Sequence, residues 1–543
     1  MYDGIFITEC TSQNWLGRGY GVHRLATELR KHGFKILVLD WAFAINFELY
    51  KEILDLAIGD NTTFVGFSTS IFPYRMQDVE GQKKASLLQA SYARTSSQEF
   101  LRLEDEPWYA EGLPLQFANG NSAHWLQYIK NKNSKTKIVM GGSKTWEYFG
   151  TPLVDHYFVG MAETMFVDWM LSATGRGPKR IFNTIVDYDT KAQGNKEQFN
   201  YVTSTTRYQE EDFIQPYEGL GLEVGRGCRF SCSFCTWPLI GQKNVEDYTK
   251  TPELIREELM ENWERFGVWK YYVTDDTFND STEKLETFLA IVKSLPFKPA
   301  FWGFFRLDLI ASHPEQIALI EECGFRDIVV GIETFNKAAG KAIKKGANAD
   351  RMKQALIDCK AAWGGNVMVS SQFITGLPGE DSTSVAEAAE WFMREDAPID
   401  AIGLVPLRQY APDPLDRYKV TSQFEREAEQ WGYSWPDPVN RPWYWEKKDG
   451  TDITNYDEAK AVADKWEQAL GKIQRKGRWV FKHTSFGEGD HSWEEVRDMP
   501  WEEYQKLPKV SGNTYRVYEQ VKRDYFTPLL KFLRDRKWNN KNT

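Results

Sequence analysis

Cys228, Cys232 and Cys235 close the stretch Leu220-Gly-Leu-Glu-Val-Gly-Arg-Gly-Cys228-Arg-Phe-Ser-Cys232-Ser-Phe-Cys235. A short alternating apolar run leads into a Gly-rich turn, so the three thiols fall in a loop just past the carboxyl end of a strand. Three thiolates this close can serve one metal centre. They suit three irons of a [4Fe–4S] cube with the fourth iron left open, whereas an electron-transfer cluster is closed by four cysteines. The competing chemistry is a structural zinc, which is tetrahedral and needs a fourth Cys or His. None lies nearby: His156 and His313 are the nearest histidines in sequence, and Cys10, Cys323 and Cys359 sit alone in other segments. The spacing favours a cube with an open iron, and an open iron is a binding site.

The Cys-x3-Cys-x2-Cys spacing, with Phe234 before the last cysteine, resembles the signature of the radical S-adenosylmethionine (SAM) superfamily. The resemblance implies that SAM chelates the open iron through its amino and carboxylate groups. The cluster then passes an electron to the sulfonium, giving a 5′-deoxyadenosyl radical or, in some branches, serving methyl transfer. It also implies that Phe234 packs near adenine.

The elements that must position this loop read as repeated strand–helix units. Barrel-like repeats start at the cysteine strand and continue through Trp269–Thr274, Ala300–Arg306, Asp327–Glu333, Val367–Thr375 and Ile399–Pro406, with helices at Pro252–Phe266, Thr282–Leu295, Pro314–Cys323, Ala349–Trp363 and Ser384–Arg394. Six such repeats make a partial (β/α)6 barrel, which keeps its chemistry at strand carboxyl ends.

Polar residues stand at those ends. Asp275 and Asp276 follow the second strand; by resemblance one accepts from the SAM ammonium group, and the alternative is a pair of helix N-caps. Arg306 ends an aromatic strand, and its guanidinium fork suits the SAM carboxylate. Glu333 closes Gly331-Ile-Glu-Thr, similar to the family segment whose carboxylate faces the SAM ribose or ammonium. Gly376-Leu-Pro-Gly-Glu380 resembles the fifth-strand loop that approaches adenine by backbone, the alternative being a tight turn.

The amino-terminal third alternates strands and helices as a doubly wound, Rossmann-like sheet: Gly4–Thr8, Lys35–Asp40, Phe64–Thr69, Lys137–Gly142 and Tyr157–Gly160, interrupted by a polar and aromatic insertion from about Pro73 to Asn119. The early Gly17-Arg-Gly-Tyr-Gly21 turn is a poor dinucleotide fingerprint, because its spacing is Gly-x-Gly-x-Gly and no acid completes it. Gly66-Phe-Ser68, Val139-Met-Gly141-Gly142-Ser and Gly160-Met-Ala-Glu163 are instead similar to the cobalamin-binding domain that precedes the barrel in the B12-binding branch of radical SAM proteins. That implies a corrinoid tail cradled by Ser68, Gly141 and Gly142. The Asp-x-His-x-x-Gly motif that supplies a lower axial histidine is absent, which implies no protein histidine on cobalt; His23 reads as a capping or solvated residue. The alternative is a Rossmann-like domain that has lost cobalamin.

At 543 residues the chain is too long for one core. The organisation expected is a cobalamin-binding-type domain over 1–173, a polar linker over 174–217, the barrel over 218–415 and a mainly helical, Trp-rich cap over 416–543. A net charge of −10 argues against a duplex nucleic-acid surface. No apolar run approaches membrane-spanning length, and six cysteines, three of them in one loop, fit a reducing compartment where thiols stay free for metal, so a cytoplasmic protein is expected. Trp431, Trp435, Trp443 and Trp445 fit a lid or, more simply, a satellite core.

These readings predict a radical SAM enzyme that is cobalamin-dependent and methylates an unactivated carbon or phosphorus centre. One rival is a cobalamin-independent radical SAM enzyme performing hydrogen abstraction, rearrangement, sulfur insertion or RNA modification. Its methylthiotransferase version is disfavoured, for the amino-terminal domain lacks a second three-cysteine set. The other rival is a non-catalytic Fe–S or zinc scaffold. The expected partners are a small-molecule or peptide substrate, unidentified by the sequence, and an external electron donor, with no membrane.

Overall fold

The computed structural model describes residues 1–8, 11–12, 15–16, 18–42, 45, 47–68, 123–142, 145–151, 153–187, 199–236, 248–345, 348–413, 416, 418, 420–470, 495, 499–500, 503 and 520–542. The insertion expected between Pro73 and Asn119 lies outside the described residues. The first sheet comprises β1 (Gly4–Ile7), β2 (Ile36–Leu39), β3 (Phe64–Ser68), β4 (Lys137–Gly141), β5 (His156–Val159) and β6 (Ile185–Asp187), interleaved with α1 (Tyr20–Lys31), α2 (Phe47–Ala57), α3 (Ala123–Lys132) and α4 (Glu163–Ala173). Its strands are all parallel and lie in the order β2-β1-β3-β4-β5-β6. β1 and β2 are buried along their whole length, as strands covered by helices on both faces must be. The order reverses at β1, and sheets of this kind bind ligands in the crevice beyond the carboxyl ends of the strands at that point, here β1 and β3.

β6 lies within the stretch expected to be an irregular linker. Its three residues are too short to show a period, and only the edge that β5 offers makes them a strand.

The second sheet is built from β7 (Gly219–Leu222), β8 (Lys270–Val273), β9 (Ala300–Arg306), β10 (Phe325–Glu333), β11 (Met368–Thr375) and β12 (Ala401–Pro406), parallel and in sequence order. Helices α5 (Pro252–Phe266), α6 (Thr282–Lys293), α7 (Gln316–Glu322), α8 (Ala349–Trp363) and α9 (Ser382–Met393) follow the first five strands. Thr251, Ser281, Asn348 and Asp381 cap four of them through their side chains, and Gly267 ends α5 in a left-handed conformation. Alternation along each strand sends Leu220, Leu222, Tyr271, Val273, Phe301 and Phe305 into the core beneath the helices.

The Trp-rich stretch does not form a satellite core. Phe424, Tyr433, Trp445, Ile453, Tyr456 and Ala459 belong to the same apolar cluster as the barrel strands, with Trp431, Trp435 and Trp443 packed against it. Helix α10 (Tyr456–Leu470) lies on this side, and Thr375 donates to the Ala459 carbonyl at 2.8 Å. The last helix, α11 (Thr527–Asn542), and the turn before it return to the first domain, where Tyr525, Phe526, Leu529 and Leu533 join the core around Ile5, Leu37 and Ile53.

Candidate active site

The carboxyl edge of the first sheet is joined to the inner face of the second. Tyr272, on β8, donates to the Arg18 carbonyl at 2.7 Å, and the ring of Tyr20 lies over Gly221 of β7, where an added Cβ would stand 2.5 Å from it. Only glycine permits that approach. Past β7, Glu223 pairs with Arg226 at 2.6 Å and with Arg24 of α1 at 3.4 Å, and Arg226 reaches Glu163 at the start of α4 at 2.8 Å. The root of the cysteine loop is thereby fixed to two helices of the first domain. Sequence reasoning noticed Glu163 only as part of a motif and missed its arginine, because ion pairs between distant segments leave no local pattern.

Cys228, Cys232 and Cys235 are all partly exposed in the loop after β7. Asp275, at the end of β8, accepts from the amides of Val224 and Gly225 at 3.2 and 2.9 Å and pairs with Lys284 at 2.6 Å. Its oxygens therefore hold the loop's first turn. Neither aspartate caps a helix: α6 takes Ser281 as its N-cap. Asp276 is different. Burial, and after it the neighbouring Asp275, pushes its carboxyl up to about 7. Thr277 follows it and meets the Cys228 sulfur at 3.4 Å.

At the end of β9, Arg306 donates Nε and Nη2 to Asp308 at 3.0 and 2.6 Å, lies 4.0 Å over the Phe230 ring, and turns Nη1 to the Cys232 sulfur at 3.2 Å. The fork expected to hold a SAM carboxylate is thus shared between Asp308 and a cysteine. Glu333, at the end of β10, has φ of 66°, a left-handed conformation uncommon for a non-glycine residue, next to a register irregularity. Lys345 fixes it, donating to Glu333 Oε1 at 3.0 Å and to the Gly331 carbonyl at 2.8 Å. Phe234 is partly buried against the barrel core. Gly376 has φ of 87°; its carbonyl accepts from Tyr433 at 2.8 Å and its α-carbon faces Trp445.

Cys228, Cys232, Asp276, Arg306 and the loop's Phe230 thus gather at one end of β7–β9. Among the described residues no group of three or more His, Cys, Asp or Glu is gathered as a ready site for a single ion. Thiolates that hold separate irons of a cube need not meet at one point. The residues present suit a cube in two respects: partly exposed sulfurs, and a cation with an N–H aimed at one of them.

On the first sheet Ser68 and Gly141 are register partners at the carboxyl edge. An added Cβ on Gly141 would touch only the Phe158 backbone oxygen and side chain at 3.5 and 3.6 Å, and Gly142 follows with φ of 124°. This edge leaves room for backbone to approach a bulky ligand. His23 is neither cap nor solvated. It is fully buried, with Nε2 2.7 Å from Asp40, its ring 4.7 Å from Tyr208, while Gly19 stands at the helix N-cap. Arg18 completes this buried network, pairing with Asp40 at 3.0 Å and Glu218 at 2.6 Å. No helix of the described residues is long and apolar enough to cross a membrane.

Residues 222–392 match the model of the radical SAM superfamily. The bacteriochlorophyllide d C-8(2)-methyltransferase of Chlorobaculum tepidum is 23% identical over 155 residues, covering 27% of this chain and 33% of that protein. The hopanoid C-2 methylase of Rhodopseudomonas palustris is 28% identical over 199 residues, 36% of each chain. The chain spans about a third of the length of these curated relatives. In fold it is similar to the radical SAM methyltransferase TsrM from Kitasatospora setae, solved with cobalamin and a [4Fe–4S] cluster, at a TM-score of 0.56 and 14% identity over 98% of this chain and 99% of that one. It is also similar to the cobalamin-dependent radical SAM enzyme OxsB, at 0.52 and 13% over 100% of this chain and 81% of that one. Cysteine loop, sequential parallel sheet and matched span agree: residues 222–392 form a radical SAM domain, and the parallel sheet in front of it completes a fold similar along the chain to those of TsrM and OxsB.

Proposed function

We propose that this chain is a cobalamin-dependent radical SAM methyltransferase acting on an unactivated centre. The observation that carries the reading is the joining of two ligand edges. The carboxyl edge of the first sheet, with Ser68, Gly141 and Gly142, meets the inner face of the barrel through Arg18–Tyr272 and Tyr20–Gly221, so a corrinoid on one and SAM on the other would share a single space.

Cys228, Cys232 and Cys235 would hold the cluster; Asp276 and Glu333 would receive the SAM ammonium and ribose, with Phe234 and the Gly376 loop toward adenine. When bound, these groups supply an open iron, an electron delivered from an external donor, and a methyl carrier. The protein's own part is orientation and exclusion of water. Asp275 fixes the loop through two amides, Lys345 locks Glu333 in its left-handed conformation, and Arg306 clamps Phe230 against the loop. Asp276, held near neutrality by burial, gains a charge partner when a cation enters. A cobalt face without a protein histidine is consistent with His23 being committed to Asp40.

The test is cofactor content after anaerobic reconstitution with iron, sulfide, SAM and cobalamin. Wild type should retain iron and corrinoid, each Cys→Ala variant should lose iron, and Gly141→Trp should lose corrinoid while keeping iron. Wild type that retains iron but no corrinoid refutes the cobalamin part; stoichiometric zinc in place of iron refutes the whole.

A further inference from the structure

The inner face of the barrel carries two rows that the cofactors do not account for. Register partners across four strands give a lower row of Phe304, Val329, Ser370 and Ala401, and an upper row of Arg306, Gly331, Gln372 and Gly403. The lower row is mainly apolar, and Trp302, one turn of the pleat below Phe304, adds its ring at 4.8 Å. In the upper row Arg306 belongs to Cys232, and the Gly331 position is covered by Lys345, whose Nζ would stand 2.5 Å from an added Cβ.

Gln372 and Gly403 remain. Gln372 lies between Ser371 and Phe373, both buried toward the helices, so its amide points inward, and it is exposed there. Gly403 is the low point of the wall. An added Cβ would stand 3.9 Å from Gln372 Cγ and 3.9 Å from Glu467 Oε1, so Glu467, from α10, approaches Gln372 across this glycine. Among the described residues no hydrogen bond or ion pair engages the Glu467 carboxylate; of the lysines on its helix, Lys460 is paired with Asp464 and Lys465 lies 4.8 Å over the Trp466 ring. Burial, followed by Asp464, pushes Glu467 up to about 7. A half-buried carboxylate with no partner among the described residues, beside an exposed inward amide, is costly in a fold that gains nothing from it.

We propose that Gln372 and Glu467 form the substrate's polar subsite, and that the substrate is a ring-bearing, mainly apolar molecule with an N–H or O–H donor. Its ring lies on Trp302 and Phe304 and its donor is taken by Glu467 and Gln372. Strands stand roughly 5 Å apart, so Gln372 lies on the order of 10 Å from Arg306 across the sheet, within one small molecule of the cluster loop. The proposal rests on the radical SAM reading of the barrel.

The test uses reconstituted full-length holoenzyme with indole as probe and 1-methylindole, which lacks the donor, as control. Binding is read by saturation-transfer NMR. Iron content and SAM binding are measured on the same samples, so failure of the cofactor reading shows as missing iron rather than as lost probe binding. Wild type should bind indole at least tenfold more tightly than 1-methylindole. Glu467→Leu and Gln372→Ala, which remove the acceptor atoms, should lose that preference while keeping iron, SAM affinity and the wild-type melting profile. Equal binding of the two probes by wild type, no binding of either, or an unchanged preference in both variants overturns the subsite.

Discussion

Arg226→Met removes the bridge between the cysteine loop and the first domain. Arg226 is 12% exposed and faces Glu163 and Glu223, whose side chains are 7% and 6% exposed, at 2.8 and 2.6 Å. It also lies 4.7 Å over the Tyr201 ring. Methionine fills most of the stem's volume but leaves two buried carboxylates facing each other. Removing one member of a buried pair costs about 3–5 kcal/mol, because the remaining charge is uncompensated. Two features temper this. Glu223 keeps Arg24 at 3.4 Å, and Glu163 sits in the first turn of α4, where the helix dipole favours an anion by up to about 1 kcal/mol. The expected loss is therefore about 3 kcal/mol, read by urea unfolding of anaerobically purified apoprotein through tryptophan fluorescence. Adding Glu163→Gln to Arg226→Met should recover a large part of it, giving a coupling energy of roughly 2 kcal/mol in the double-mutant cycle. A loss below about 1 kcal/mol, the level of a surface ion pair, would refute the claim that this bridge fixes the loop.

Lys284→Met should leave Asp275 buried without its cation and loosen the Val224–Gly225 turn; reconstituted protein is expected to retain less iron, and iron equal to wild type would separate that turn from cluster assembly. Gly376→Ala places a Cβ 2.6 Å from the buried Trp445 ring at a φ of 87°, so stability should fall by about 2 kcal/mol or more in chemical denaturation. Glu380 is buried with Thr334 as its bonded partner, and desolvation, against the pull of Thr334 and Lys447, raises its pKa from 4.5 to about 8. A raised folded pKa gives stability that is full below the unfolded value and is lost as pH rises toward the folded one. Glu380→Gln should therefore gain on wild type by roughly 2 kcal/mol between pH 6 and 8, and parallel pH profiles for the two proteins would contradict the shift.

Much of this molecule is legible locally. The three cysteines, the barrel's strand–helix alternation and the Gly-rich edge of the first sheet follow from spacing and period, and the bounds of α5, β9 and α8 coincide with the apolar pattern. Such features depend on neighbours within a turn or two of chain. What the tertiary structure alone decided is how strand-end groups are spent. Asp275 and Asp276 are adjacent and chemically alike, yet one is consumed by two amides and Lys284 while the other is left facing the loop. Arg306 is divided between Asp308 and Cys232, His23 is buried against Asp40, and the tryptophans join the barrel core instead of forming their own. Glu467 comes to the same glycine as Gln372, Gly403, only because α10 packs beside β12. Residue type fixes what a side chain can donate or accept; which partner it meets depends on segments up to hundreds of residues away, and burial then makes that partner the only one available.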